Sequence, residues 1–323
     1  MDFSIHRGFS VFKNENNSND LAIVAMHSGP ALETVTSRDD NSETVASLCW
    51  KKIGGTLIIS SMPRKRWWGI DFNRDIPDFK SAEEAYRDYE KDPSLVFEYR
   101  RKYAWISKDS KDYEDRLKIY QGFWGEVEKR KDILFVHRAY NRIKAFPSIM
   151  DVVSFEGKGV KKDVLAEVIK DVNVKYYKFF KGVEKDYREA VVFETKRVVL
   201  NILRIYKTLE LDKIGIEFGD DLKKDLVKVN EYADKIALKR VKANLTPQTF
   251  VEAVKNAVKN APTPEVTIEK VFSGSLAHGP YRKLLFKDRI VMEIEPTYFM
   301  NFWHPHIAAE IISDIFEGVK KKS

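Results

Sequence analysis

Apolar positions fall into short runs that suit buried strands, separated by longer stretches with helical period. Residues 21–26 (LAIVAM) are unbroken apolar sequence closed by His27-Ser28-Gly29-Pro30, which reads as a buried strand running into a turn. Residues 42–53 carry a helical pattern that stops at Gly54-Gly55, and 55–61 (GTLIISS) read as a second strand. An irregular, Pro-interrupted stretch follows, then charged helical patterns over 81–106 and 109–130. Residues 133–137 (ILFVH) predict a third strand and 152–157 a fourth. From Lys158 to about Asn260 the pattern is almost entirely helical, while 264–272 and 289–296 return to strands and 303–320 make a closing helix.

Strands alternating with helices before 157, and strands again after 263, predict an α/β protein with a mixed sheet flanked by helices in three layers. On this reading 1–157 and 263–323 form one core, and 158–262 is a long helical insertion or cap lobe. All six histidines (6, 27, 137, 278, 304 and 306) lie outside that insertion.

Composition narrows the chemistry. No apolar run is long enough to span a bilayer, and the N-terminus lacks a basic-then-apolar signal pattern, so a cytoplasmic protein is expected. Cys49 is the only cysteine, which excludes an internal disulfide and leaves His, Asp and Glu as metal ligands. Its place on the apolar face of the 42–53 helix makes it core. The net charge of +7 is a small excess of 56 basic over 49 acidic residues. The lysines of 158–262 alternate with acids, as on solvated helical faces, which argues against nucleic acid. Abundant Lys and Glu beside two glutamines suit a thermophile.

In an open α/β sheet, ligands gather at the carboxyl ends of the strands. His27 and His137 stand at two such ends, and Glu293 and Glu295 lie two apart on one face of a late strand. Singly, each is also an ordinary structural residue, hydrogen-bonded or facing solvent. Together they form a set of zinc-type ligands and acids. Between the second strand and the helices, three arginines and a lysine fall within residues 64–74, and an Arg fork is a natural carboxylate clamp. Ser28 is not set in a G-x-S-x-G elbow, so it is not read as a nucleophile. Pro305, between His304 and His306, suits the first turn of the closing helix.

His27-Ser28-Gly29 after an apolar strand, RWWGIDFNR (66–74), VHRAY (136–140), and AHG (277–279) followed by VMEIEPTYF (291–299) resemble the N-formylglutamate amidohydrolase family. More distantly they resemble zinc carboxypeptidases and aspartoacylase-type deacylases. The resemblance covers about 20–155 and 265–320. It implies a zinc-exopeptidase-like fold and one zinc ion, with hydrolysis of an amide in a small carboxylate-bearing substrate such as an N-acyl amino acid. By position, His27 resembles the first zinc ligand and His137 the last. The middle ligand should be an acid ahead of the next helix, where RDDNSE offers Asp39, Asp40 and Glu43. Glu43 is best placed, Asp40 is its substitute, and Glu33 comes third. Asn73 and Arg74 resemble the grip on the substrate carboxylate, with Asp71 orienting their loop. Arg66 resembles the arginine that polarises the scissile carbonyl, Glu295 the catalytic glutamate, and His278 a residue near the substrate. Glu293 stands where a glutamine is commoner.

Two features depart from the family. Phe135 occupies a position where an acid often orients the last histidine, and 158–262 is unusually long, with room for a subunit interface. A non-catalytic protein on a decayed hydrolase fold, binding a ligand or nucleic acid, is the alternative.

Overall fold

A computed structural model describes residues 2–14, 19–30, 38–64, 68–139, 146–206, 251–252, 255–256, 258–259, 261–272, 279–285 and 288–323. Among the described residues eight strands form one sheet: β1 (Asp2–His6), β2 (Phe9–Lys13), β3 (Leu21–Ala25), β4 (Thr56–Ser60), β5 (Asp132–Val136), β6 (Ser148–Val153), β7 (Glu265–Ile268) and β8 (Val291–Pro296). Their order is β1-β2-β4-β3-β5-β8-β6-β7. The centre, β4-β3-β5-β8, is parallel, while β1, β2 and the β8–β6 step are antiparallel. The chain is thus an α/β protein with a mixed sheet.

Alternate residues of the central strands feed two cores. Leu21, Ile23, Ala25, Leu134, Val136 and Ile294 face α1 (Ser42–Ile53), α5 (Lys162–Tyr206) and α7 (Pro305–Lys322). Ala22, Val24, Ile133, Phe135 and Val291 face α4 (Ser110–Glu128) and α6 (Pro280–Leu285) on the other side. This explains why the strands read as continuous apolar runs: both faces are covered. Each fully buried aliphatic side chain stabilises the fold by about 1.5–3 kcal/mol. Two further helices, α2 (Phe79–Lys91) and α3 (Phe97–Lys102), flank Pro93, which interrupts the continuous 81–106 helix expected from the sequence.

Several expectations need correction. The fourth strand of the sequence reading lies at 148–153, not 152–157, because Phe155, Glu156 and Gly157 all take positive φ. The Glu269 carboxylate holds that turn by accepting from the backbone N–H groups of Ser154 and Glu156. β1 and β2 were not foreseen, since β1 is exposed throughout and β2 buries only alternate residues. The segment read as a lobe from 158 starts instead as a core helix. Leu165, Val168, Ile169, Val172, Phe180 and Tyr187 of α5 are buried in the first core, and Tyr187 donates to the Ser148 carbonyl at 2.7 Å. Residues 207–250 of that segment lie outside the described residues.

Candidate metal centre

The His-Ser-Gly motif closes β3, and each residue has a separate task. Ser28 Oγ lies 2.9 Å from the Ala25 carbonyl and 2.7 Å from the Ser60 carbonyl, tying the ends of β3 and β4 together. Gly29 passes so close to β4's exit that a Cβ there would stand 1.9 Å from the Met62 carbonyl oxygen. His27 is thereby held, only 2% exposed, at the carboxyl edge of the sheet. β5 delivers His137 one position past its end, where its N–H donates to the Ile294 carbonyl at 2.9 Å.

The third member is Asp39. Its backbone N–H donates to the His27 carbonyl (2.9 Å), which brings the returning chain against β3. The Asp39 Oδ2 lies 2.8 Å from His137 Nδ1 and 3.2 Å from His27 Nδ1, and the two Nδ1 atoms are 3.2 Å apart. These three side chains are the one group among the described residues whose ligand atoms converge in this way. The edge of a tetrahedral zinc site, at zinc–ligand distances near 2.0–2.2 Å, is ~3.4 Å. The donor set of two imidazoles and a carboxylate therefore fits one face of such a site.

Neither Glu43 nor Asp40, the acids favoured from the sequence, joins the cluster. Asn41 takes a left-handed φ of 67° and α1 begins at Ser42, so Glu43 sits inside the first turn, where its carboxylate pairs with Arg38. Asp40 lies 3.7 Å from Arg38 and 3.8 Å from Arg138. Glu33 lies outside the described residues.

Charge organises the surroundings. His27 Nε2 donates to Asp71 Oδ1 at 3.0 Å, since a carboxylate only accepts. That fixes the outer nitrogen and leaves Nδ1 facing Asp39 and His137. Arg64 Nε donates to the other Asp71 oxygen at 2.7 Å, and Arg74 Nε stands 3.7 Å from it. Burial alone would raise the Asp71 pKa, but Arg64, His27 and Arg74 outweigh it and hold the carboxyl well below its usual range. Asp71 is thus the buttress of His27, where the sequence reading had it orienting a substrate loop. Arg74 rests on the same carboxylate. Asn73 keeps a buried Oδ1 with no hydrogen-bond partner among the described residues.

The 69–74 loop is clamped by one face of α4. Arg116 donates to the Gly69 carbonyl (2.9 Å), Tyr120 to Arg74 (2.7 Å) and Trp124 to Phe72 (3.0 Å). The i, i+4, i+8 spacing of these three side chains puts them in line along the helix. Phe72 stacks on Phe123 of the same helix, with centroids 4.0 Å apart.

Glu295 stands level with His137, because Val136 pairs with Ile294 across β5 and β8. Phe135 pairs with Glu293, so an acid from the neighbouring strand lies beside Phe135. Burial would lower the His137 pKa. The Glu293 charge, the hydrogen bond to Asp39 and the Glu295 charge overcome it and lift the imidazole to about 9. Burial, opposed by His137 and reinforced by Glu293 and Asp39, pushes Glu295 well above the ordinary carboxyl range.

Asp151, opposite Glu295 on β6, went unnoticed in the sequence. It accepts from Thr267 Oγ1 (2.6 Å) and from the backbone N–H groups of Lys270, Val271 and Phe272. It therefore ties down the chain entering 273–278. His278 falls in that stretch, outside the described residues, as does Arg66. The buried Tyr281 on α6 was also missed; its hydroxyl lies 3.4 Å from the Met26 sulfur. Arg138, next to His137 in sequence, donates to the Arg38 carbonyl (2.7 Å).

No family model and no curated protein matches the chain. The crystal structure of a gene product from Agrobacterium tumefaciens is similar over 98% of this chain and 96% of its own. The identity is 10% and the TM-score 0.49.

Proposed function

We propose that the protein is a zinc-dependent amidohydrolase acting on a small, carboxylate-bearing amide, as its resemblance to N-formylglutamate amidohydrolases implies. The observation that carries this reading is the convergence of His27 Nδ1, His137 Nδ1 and Asp39 Oδ2, with Asp71 behind His27 and Glu295 level with His137. His27, Asp39 and His137 would hold the ion. When bound, zinc supplies Lewis acidity, lowering the pKa of water toward neutrality and polarising a carbonyl. Asp71 accepts the Nε2 proton of His27 and keeps that ring in its ligating tautomer. Glu295, buried and of raised pKa, takes a proton from water as general base and returns it to the leaving amine. Arg74 and Asn73, on the loop clamped by α4, orient the substrate carboxylate. Arg66 fills the oxyanion role on the family pattern.

The test joins metal content to turnover. Purified protein should bind one zinc and release amine from N-acyl amino acids. Asp39→Asn and His27→Ala, with unchanged circular dichroism, should lose both properties. Wild-type protein that binds zinc no better than these variants would sink the proposal. A second reading, ligand binding without catalysis, draws on Phe135 at the usual acid position. Stoichiometric binding unaffected by Glu295→Gln, with no turnover, would favour it.

A further inference from the structure

The two ends of the sheet are finished differently. At one end the edge strand β7 is covered by a side chain of α5. Asn173 Nδ2 donates to the Val266 carbonyl and its Oδ1 accepts from the Val266 N–H, both at 2.9 Å. An amide side chain thus stands where another strand would pair. At the other end β1 pairs with β2 alone among the described strands, and all five of its residues are exposed. Two are large and apolar: Phe3 is 60% exposed and Ile5 77%. An edge strand of that kind is a template for pairing.

The hairpin geometry says which groups are offered. Two residues, Arg7 and Gly8, join β1 to β2, so His6 and Phe9 close the hairpin as its hydrogen-bonded pair. Alternation then directs the backbone of Asp2, Ser4 and His6 inward and that of Phe3 and Ile5 outward. The Phe3 ring lies 6.4 Å from Phe12, and Phe12 lies 6.4 Å from Trp50. The first core therefore extends as an aromatic row to this edge and ends in solvent.

We propose that β1 pairs antiparallel with β1 of a second copy about a two-fold axis through Ser4, doubling the sheet. The sequence Asp2-Phe3-Ser4-Ile5-His6 is complementary to itself in that register. Asp2 faces His6, Phe3 faces Ile5, and Ser4 meets its own counterpart. The outward backbone groups of Phe3 and Ile5 then bond across the axis, and four apolar side chains continue the Trp50–Phe12–Phe3 row. The pairing is isologous and closed, so it stops at two copies.

Light scattering of the full chain should give the mass of two chains. Phe3→Lys with Ile5→Lys, at positions too exposed to matter for the fold, should give a monomer with unchanged circular dichroism. Ser4→Cys tests the register, because residues opposed at a non-hydrogen-bonded site sit within disulfide range. The only native cysteine, Cys49, is buried, so a crosslinked dimer on a non-reducing gel reports position 4 alone. Phe3→Cys, offset from its own counterpart, should not crosslink. A monomeric wild type, a dimer that survives the double lysine variant, or Ser4→Cys that stays uncrosslinked would each overturn the proposal.

Discussion

Asp71 accepts from His27 Nε2 while Arg64 and Arg74 hold it charged, which sets an ionised carboxylate behind His27. Asp71→Asn should keep the fold and weaken zinc binding about 10- to 100-fold, measured by competition with a chelating dye; unchanged affinity would remove it from the site. Glu295 must be ionised to accept a proton, and its folded pKa is raised. Activity should therefore be full at high pH and fall as pH drops through a value above the ordinary 4.5. A pH profile of kcat/KM checks this, and an acid limb at or below 4.5 contradicts it. At this scale the sequence was half legible. His27 and His137 stood out because each ends an apolar strand. Asp39 did not, because one backbone bond to His27 and a left-handed Asn41 select it over Asp40 and Glu43, and neither leaves a periodic trace.

Among the elements, α1 was readable to the residue, since an apolar period ended by Gly54-Gly55 has one interpretation. β6 was not, because its end is decided by a run of positive φ held by Glu269, a residue far along the chain. Asp151 belongs to the same class of long-range tie. Replacing it with Ala removes the acceptor of three part-buried backbone N–H groups and should cost about 1–3 kcal/mol, read as a lower denaturation midpoint in urea. Unchanged stability would mean that the 270–272 turn is held by other contacts. β1 and β2 escaped notice because an exposed strand needs no apolar run.

At the scale of the molecule, the three-layer arrangement followed from strand–helix alternation, whereas the role of α5 did not. Its buried Leu165, Val168 and Val172 look in sequence like any amphipathic helix, and only the sheet beneath makes them core. No described helix is long and apolar enough to cross a membrane. A ligand that binds only the folded chain stabilises it by about 2.7 kcal/mol at a hundredfold excess over its Kd. Zinc should accordingly raise the melting temperature of the wild type and not of Asp39→Asn, by differential scanning fluorimetry; equal shifts would place the ion elsewhere. The three clustered side chains also bear on the order of assembly. His27 and His137 are separated by 110 positions and meet only after β3 and β5 have paired in register. Closing so long a loop is slow and entropically costly, and an ion gripping one histidine early gives little help. Zinc should therefore leave the refolding rate almost untouched and act by slowing unfolding. The chain would fold first and be loaded afterwards.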